Sequence, residues 1–315
     1  MNPPNNLAAI KRNVPNVMVV TWVINNICDR ACLYCPPKLH NGSNHNYDWD
    51  NARKFWQELI ERYDNIHVSI AGGEPTLSPH LKEAIDMIWD SGNTIGLTTN
   101  LTRKLRYFES IAPRCSYIGA SYHPSSPDSE FVQKVQAIQH LTPVTVRLMM
   151  DSNHWSQALD TYYQLCELEK TRVEPVRILD WENGANPHNY TQEQNQWLEQ
   201  NSQTHEPAGH QPLTREPKDF SVTFINRDGT QQSPGNANAL ISQNETNFQG
   251  WSCSLGLESL FIHHTGRIRK ANCNQGSAIG TIDDPYTIDW PVEPEQCNQT
   301  LCHCVTDIMM TKSRK

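Results

Sequence analysis

Short apolar runs alternate with amphipathic segments along roughly the first 180 residues of the chain. Residues 16–24 form a nearly continuous, β-branched run, which is typical of a strand buried on both faces. In residues 48–63 the apolar positions recur at three- and four-residue spacing, which predicts a helix with Asp48 as its N-cap. The same alternation then repeats several times.

The remaining elements of this region follow the same pattern. Further strands are predicted at residues 65–70, 94–97, 116–120, 143–149 and 174–179. Further helices are predicted at residues 78–92, 103–112, 127–141 and 152–169. Strands that alternate with helices indicate an α/β fold with a parallel sheet. Functional side chains are then expected at the carboxyl ends of the strands.

The rest of the chain differs in character. Residues 183–250 are polar and read as a connecting segment, with a helix at 191–201 and a strand at 220–225. Residues 251–315 form a compact cysteine-rich module with a hairpin signal around Gly266. The predicted organisation is an N-terminal arm (1–15), an α/β domain (16–182), the connecting segment and this α+β module.

Three cysteines directly follow the first strand. Cys28, Cys32 and Cys35 have the spacing Cys-x3-Cys-x2-Cys. Zinc sites and four-iron clusters normally take four protein ligands, so three thiolates leave one metal corner open for chemistry. A zinc knuckle with a distant fourth ligand is the alternative.

This triplet, with Tyr34 before its third cysteine, resembles the motif of the radical S-adenosylmethionine (SAM) superfamily. Gly72, Gly73 and Glu74 follow the second strand, where these enzymes carry a Gly-Gly-Glu motif. An ordinary tight turn is the alternative interpretation of this segment. The resemblance implies a partial (β/α)6 barrel and a [4Fe–4S] cluster whose open iron is chelated by SAM. It also implies that these three residues hold the amino group of SAM and places Tyr34 among the cofactor-binding residues.

Further SAM contacts are expected at the strand ends. In relatives, residues that end strands four and five contact the SAM carboxylate and ribose. Ser121 and Arg147 are therefore the first candidates here, and Asn100 is a further candidate. A cap or turn role for Ser121 and a surface ion pair for Arg147 are the alternatives. Leu179 is a candidate for the adenine contact, with ordinary core packing as its alternative. His123 either orients a ligand or belongs to a turn.

The C-terminal cysteines resemble the SPASM or twitch extension of radical SAM enzymes, which binds auxiliary iron–sulfur clusters. The full SPASM pattern has seven cysteines and five remain here, so one auxiliary [4Fe–4S] cluster is expected. Its predicted ligands are Cys253, Cys273, Cys302 and Cys304. Cys297 is either a replacement for Cys302 or a free thiol that donates a hydrogen atom to a substrate radical. A structural zinc on the same thiols is the alternative.

Charge and hydropathy narrow the partners and the compartment. The 315-residue chain has a net charge of −8, which argues against duplex nucleic acid as a partner. No run approaches the roughly 18 apolar residues of a membrane span, and the N-terminus lacks the apolar region of a signal peptide. A cytoplasmic location is therefore expected, where ten cysteines serve metals or catalysis rather than disulfides.

The resemblance implies reductive cleavage of SAM to a 5′-deoxyadenosyl radical, with an external one-electron donor of the flavodoxin or ferredoxin type. The first substrate class is a ribosomally synthesised peptide that is cross-linked, epimerised or oxidised. Residues 1–15 are too short for the leader-binding domain of many such maturases. The alternative is therefore a dehydrogenase or carbon–carbon bond-forming enzyme acting on a sugar, aminocyclitol or nucleoside. An iron–sulfur electron carrier or metal-sensing regulator is a third hypothesis, which the Gly-Gly-Glu segment disfavours.

Overall fold

The computed structural model describes residues 4, 6–35, 37, 40–42, 47–178, 189–201, 203–212, 214–216, 218, 220–273, 275–302 and 304–314. The strands are β1 (Leu7–Arg12), β2 (Met18–Val23), β3 (Ile66–Ala71), β4 (Thr94–Thr99), β5 (Tyr117–Tyr122), β6 (Val144–Met149), β7 (Thr171–Val176), β8 (Val222–Asn226), β9 (Gln231–Gln232), β10 (Ser252–Cys253), β11 (Ser259–Ile262), β12 (Arg267–Arg269), β13 (Gly280–Thr281), β14 (Glu295–Gln296) and β15 (Lys312–Ser313). The helices are α1 (Trp49–Arg62), α2 (Leu81–Asp90), α3 (Leu105–Ile111), α4 (Phe131–Ile138), α5 (Trp155–Cys166), α6 (Gln192–Gln200), α7 (Ala237–Ser242) and α8 (Val305–Ile308).

The chain forms two compact units, each assembled from segments that are not contiguous in sequence. The first unit comprises Met1–Val23, His45–Ser69 and Lys218–Lys315. The second unit comprises Ile24–Asn44 and Ile70–Pro217.

In the second unit, strands β4, β5, β6 and β7 lie side by side in parallel. The amphipathic helices α2 to α5 connect or follow them, and the apolar face of α2 is fully buried at Leu81, Ala84 and Ile85. Covering helices of this kind let parallel strands be apolar on both faces, as the buried pattern of β4 shows. The result is an α/β fold with a mostly parallel sheet.

The first unit contains two sheet regions. One has the strand order β14-β10-β15-β1-β8-β9, and its pairings are antiparallel. In the other, β11 runs parallel to β2 and forms an antiparallel hairpin with β12, with Gly266 at φ +79° in the turn. Asp48 caps α1 by accepting a hydrogen bond from Asn51 N at 3.0 Å, as predicted.

The predicted alternation of strands and helices in residues 16–180 is confirmed, with shifts at the element ends. Strand β7 begins at Thr171, three residues before the predicted start, because Thr171 pairs with Val144 of β6. The region expected as an N-terminal arm contains β1, where Ile10 lies opposite Phe224 on one side and Lys312 on the other. These partners are more than 200 residues away in the chain, and strand formation depends strongly on such neighbours.

Within the described residues, no helix is both long enough and apolar enough to cross a bilayer.

Candidate functional site

The loop that carries the cysteine triplet is hydrogen-bonded to the Gly-Gly-Glu segment. Gly73 N donates to Asn25 O at 3.0 Å, and Glu74 N donates to Ile27 O at 2.7 Å. The Asn25 side chain returns a bond from Nδ2 to Glu74 O at 2.9 Å. The two motifs, which are about 40 residues apart in sequence, are therefore held together by backbone contacts made just before Cys28.

Gly72 is required by this close approach. A Cβ atom added at Gly72 would lie 2.7 Å from Asn25 O and 2.8 Å from Asn25 Oδ1. Such distances leave no room for any side chain. Only glycine at this position therefore allows the two backbone segments to approach this closely.

The two motifs open onto one cavity in the second unit. Cys28, Cys32 and Cys35 line it together with Gly72, Gly73, Glu74, Asn100 and Ser121, as the sequence analysis grouped them. Its volume is about 490 Å³, counted out to its open mouth.

Glu74 is almost completely buried and its carboxylate is used within the protein. Oε1 accepts hydrogen bonds from Thr76 Oγ1 at 2.6 Å, Thr76 N at 3.0 Å and Thr99 Oγ1 at 2.8 Å, while Oε2 accepts from Asn100 N at 2.7 Å. Burial raises the pKa of Glu74, and these hydrogen bonds oppose that rise. The side chain thus ties the Gly-Gly-Glu loop to the end of β4.

Asn100 links that strand end to the first cysteine. Its Nδ2 donates to Asp29 Oδ1 at 2.9 Å and lies 3.9 Å from Cys28 Sγ. Burial acts to raise the pKa of Asp29, but hydrogen bonds from Thr102 and Asn100 bring it below its ordinary value. Asp29 is thereby kept ionised beside the cysteine loop.

Tyr34 contacts a histidine that follows β5. A hydrogen bond of 2.7 Å joins Tyr34 Oη to His123 Nδ1, and the two rings stack with their centroids 5.9 Å apart. Burial raises the pKa of Tyr34. Burial, and then the charge of Arg30, lower the pKa of His123 to about 4. His123 is therefore neutral near pH 7 and lines the cavity as an uncharged group.

Two of the triplet thiols, those of Cys28 and Cys35, are held in their protonated form by this environment. Burial raises the pKa of Cys28 to about 11, and burial followed by the charge of Cys32 raises the pKa of Cys35. Thiols bind metals as thiolates, so metal binding here would release protons. Across the described parts of the chain, no three His, Cys, Asp or Glu side chains form a ready-made metal site. The triplet lines one cavity but is not arranged as a closed ligand set.

Of the predicted SAM contacts, Tyr34 and Arg147 are not among the described residues that line the cavity. The Arg147 side chain is half exposed, and its Nε lies 3.3 Å from Glu174 Oε2. Leu179 lies outside the described residues, so its contact with adenine stays a prediction, as does that of Arg147.

The cavity also has lining residues that the sequence analysis did not select. Arg30 lies between the first two cysteines, and Thr99 is the last residue of β4. His40 follows the triplet and its Nε2 lies 3.1 Å from Cys35 O. Their common signal is a polar residue within or just after the cysteine triplet, or at a strand end. Many such residues face solvent, and sequence alone does not distinguish them from residues that line a cavity.

Four C-terminal cysteines share one core in the first unit. Cys253, Cys297 and Cys302 are buried members of that core, and Cys273 packs against it from a partly buried position. Burial raises the pKa of Cys253, of Cys273 to about 11, and of Cys302. Cys304 instead caps the start of α8 and is not among the described residues of this core.

A fully buried lysine lies among these thiols. Lys312 Nζ donates to the backbone carbonyl of Asp307 and lies 5.5 Å from the centroid of the Phe248 ring. Burial acts to lower the pKa of Lys312, but the charges of Cys253, Cys302 and Asp307 outweigh it and raise the pKa. Lys312 therefore remains a cation in the core that holds the cysteines.

Comparison with known proteins identifies the region that contains the cavity. Residues 22–168 match the family model described as the Radical SAM superfamily. No curated protein sequence matches the chain. These 147 residues include the triplet, the Gly-Gly-Glu segment and the strand ends that line the cavity.

Two solved structures are similar in fold. SuiB from Streptococcus suis superimposes with a TM-score of 0.51 at 11% identity, covering 88% of this chain and 66% of SuiB. anSMEcpe, solved with bound AdoMet and the Cp18Cys peptide, has a TM-score of 0.50 at 14% identity, covering 86% of this chain and 78% of anSMEcpe. The chain thus spans just under two thirds of SuiB, and at these identities the likeness concerns the fold.

Proposed function

We propose that this chain is a radical SAM enzyme that holds a [4Fe–4S] cluster on Cys28, Cys32 and Cys35 and binds SAM in the adjoining cavity. The observation that carries the proposal is the single cavity lined by the three thiols, the Gly-Gly-Glu segment and the ends of β4 and β5. When bound, the cluster would supply the electron that cleaves SAM to a 5′-deoxyadenosyl radical, which abstracts a hydrogen atom from the substrate.

The protein's own contribution is to prepare the binding loop. Glu74 accepts four hydrogen bonds from the residues around it, and Asn25 bonds the same loop from the other side. The loop backbone is therefore constrained without a ligand, which reduces the ordering cost of binding. The neutral His123 lines the cavity without adding charge, and Tyr34 is hydrogen-bonded to it.

Anaerobic turnover tests this proposal. Iron-loaded protein incubated with SAM and dithionite is expected to form 5′-deoxyadenosine, and replacing Cys28, Cys32 and Cys35 together by Ala should abolish it. Cys166→Ala on α5, outside the described cavity lining, is the matched control and should keep wild-type rates. Fully loaded wild-type protein that forms no 5′-deoxyadenosine would refute the proposal.

For the substrate we propose a peptide as the first class, with modification by cross-linking, epimerisation or oxidation. Support comes from anSMEcpe, which shares the fold and whose structure contains AdoMet and a peptide. The test is a short peptide encoded beside this gene, deuterated at its Cα and side-chain carbons. Deuterium in the 5′-deoxyadenosine product supports the peptide class. Transfer only from a deuterated sugar, aminocyclitol or nucleoside would establish the small-molecule alternative.

We further propose one auxiliary cluster on Cys253, Cys273, Cys297 and Cys302. These four thiols share one core, and Lys312 within it supplies a positive charge that would offset a negatively charged metal–thiolate centre. This set uses Cys297 in place of the predicted Cys304. A thiolate bound to the cluster has no S–H hydrogen to donate, so Cys297 could not then act as the hydrogen donor.

Metal analysis separates the two ligand sets. In protein whose triplet is replaced by Ala, wild-type C-terminal cysteines are expected to retain about four irons per chain, as a [4Fe–4S] cluster requires. Cys297→Ala should lose this iron and Cys304→Ala should keep it. The opposite result would restore Cys304 as a ligand and Cys297 as a candidate donor, while zinc in place of iron would make the centre structural.

A further inference from the structure

Arg30 is a charged residue with an unusual position in the cavity. It lies in the loop between Cys28 and Cys32, and its backbone N lies 3.4 Å from Cys28 Sγ. The residue is only 9% exposed and lines the same cavity as the thiols and the Gly-Gly-Glu segment. A guanidinium buried to this degree is costly unless an anion or several acceptors compensate it.

The described residues do not fully compensate Arg30. Its Nε is buried and has no hydrogen-bond acceptor among them. Asp29 is close enough for its charge to interact with Arg30, but its Oδ1 accepts a hydrogen bond from Asn100, and Glu74 accepts four bonds from its own surroundings. His123 beside Arg30 is a neutral ring and offers no negative charge. A planar guanidinium with an open N–H matches a carboxylate, which it binds with paired hydrogen bonds.

Resting on the function proposed above, we infer that the Arg30 guanidinium binds the methionyl carboxylate of SAM in this cavity. Arg30 belongs to the loop whose thiols would hold the cluster, and it lines the same cavity as those thiols and the Gly-Gly-Glu segment. Arg147, the arginine selected from the sequence, is half exposed and already paired with Glu174. Arg30 would act as a binding residue that orients SAM and has no part in breaking its bonds.

The test compares two ligands that differ by that one group. Equilibrium binding of SAM and of decarboxylated SAM is measured anaerobically on iron-loaded wild type, Arg30→Met and Arg30→Lys. Arg30→Met is expected to weaken SAM binding about tenfold or more, as loss of a charge-assisted, two-point contact does. Its affinity for decarboxylated SAM should change less than about twofold, because that ligand has no group for Arg30 to bind. Arg30→Lys keeps the positive charge but loses the planar, two-point hydrogen bonding of the guanidinium. Its affinity for SAM should therefore lie between those of wild type and Arg30→Met.

Two further variants serve as a control and as a test of the alternative arginine. Arg172→Met removes an arginine of β7 that is half exposed and paired with Glu206 outside the cavity, and it should bind both ligands as wild type does. Arg147→Met tests the arginine chosen from the sequence in the same assay. If Arg147→Met and not Arg30→Met loses SAM affinity selectively, the inference is wrong.

Other outcomes are equally decisive. If Arg30→Met weakens both ligands equally or neither, Arg30 does not bind the carboxylate. If Arg30→Met and Arg30→Lys both fail to retain the triplet's iron, Arg30 supports the cluster loop, and the inference is overturned. Wild type that binds no SAM at all would instead refute the proposed function, so the two failures are distinguishable.

Discussion

Replacing Gly72 by Ala is the sharpest perturbation of the site that leaves its thiols and charges unchanged. The new Cβ would lie 2.7 Å from Asn25 O and 2.8 Å from Asn25 Oδ1. Non-bonded contacts to carbon are optimal near 3.5–4.0 Å, so the two segments must separate by roughly half an ångström or more. That movement acts directly on the hydrogen bonds that Asn25 exchanges with Gly73 and Glu74, at 3.0 and 2.9 Å.

The expected cost follows from these contacts. Overpacking of this kind costs about 1–3 kcal/mol, and weakening two hydrogen bonds costs about 0.5–1.5 kcal/mol each. The lower entropy of the unfolded alanine chain returns about 0.4–1 kcal/mol. The free energy of unfolding should therefore fall by roughly 1–6 kcal/mol. Because the displaced loop lines the cavity, SAM affinity should fall as well.

Gly119→Ala is the matched control. A Cβ at Gly119 in β5 meets Thr98 Oγ1 at 3.6 Å and otherwise only ordinary contacts, so it fits without movement. Its unfolding free energy should stay within about 1 kcal/mol of wild type. The measurement is urea unfolding followed by tryptophan fluorescence, together with SAM binding to iron-loaded protein. If Gly72→Ala matched Gly119→Ala in both, close contact between the two motifs would not be what constrains the loop.

Two further predictions concern buried ionisable groups. Burial lowers the pKa of His67 from 6.5 to about 4, so between these pH values the unfolded chain binds a proton that the folded protein refuses. The free energy of unfolding should therefore fall by up to about 1.4 kcal/mol per pH unit as the pH drops through this window. In urea titrations at pH 7, 6, 5 and 4, His67→Leu should make this dependence on pH shallower. An unchanged dependence on pH would contradict the prediction. Lys134 is 3% exposed and donates to Leu101 O at 3.0 Å and to Asp128 at 2.6 Å. Lys134→Met should cost about 3–5 kcal/mol by urea unfolding, whereas Lys82→Met, which breaks an exposed ion pair, should cost less than about 1 kcal/mol; equal losses would show that burial of the pair is immaterial.

Several features of the protein were readable from the sequence because they depend on neighbours in the chain. Short apolar runs and the three- and four-residue spacing of apolar positions predicted the strands and helices of residues 16–178, and the sequence around Gly266 predicted the hairpin turn. The triplet spacing and the Gly-Gly-Glu segment after the second strand pointed to the radical SAM superfamily, whose family model matches residues 22–168. In each case the signal lies within a few residues of the feature.

Other features were decided only by the tertiary structure. Leu101 has a φ of +56°, a left-handed backbone conformation that leucine rarely adopts and that its sequence position does not predict. The buried Lys134 donates a hydrogen bond to the Leu101 carbonyl. The choice between Arg30 and Arg147 as the cation that faces the cavity depends on burial, which sequence position does not reveal.

The same distinction explains the C-terminal cysteines and the N-terminal strand. Cys297 rather than Cys304 joins the core of Cys253 and Cys302, although Cys304 lies closer to Cys302 in the chain. Strand β1 exists because β8 and β15 pair with it from more than 200 residues away. Local spacing determines which backbone conformations a segment favours, but packing between distant segments determines which side chains meet, because burial and pairing are properties of the assembled fold.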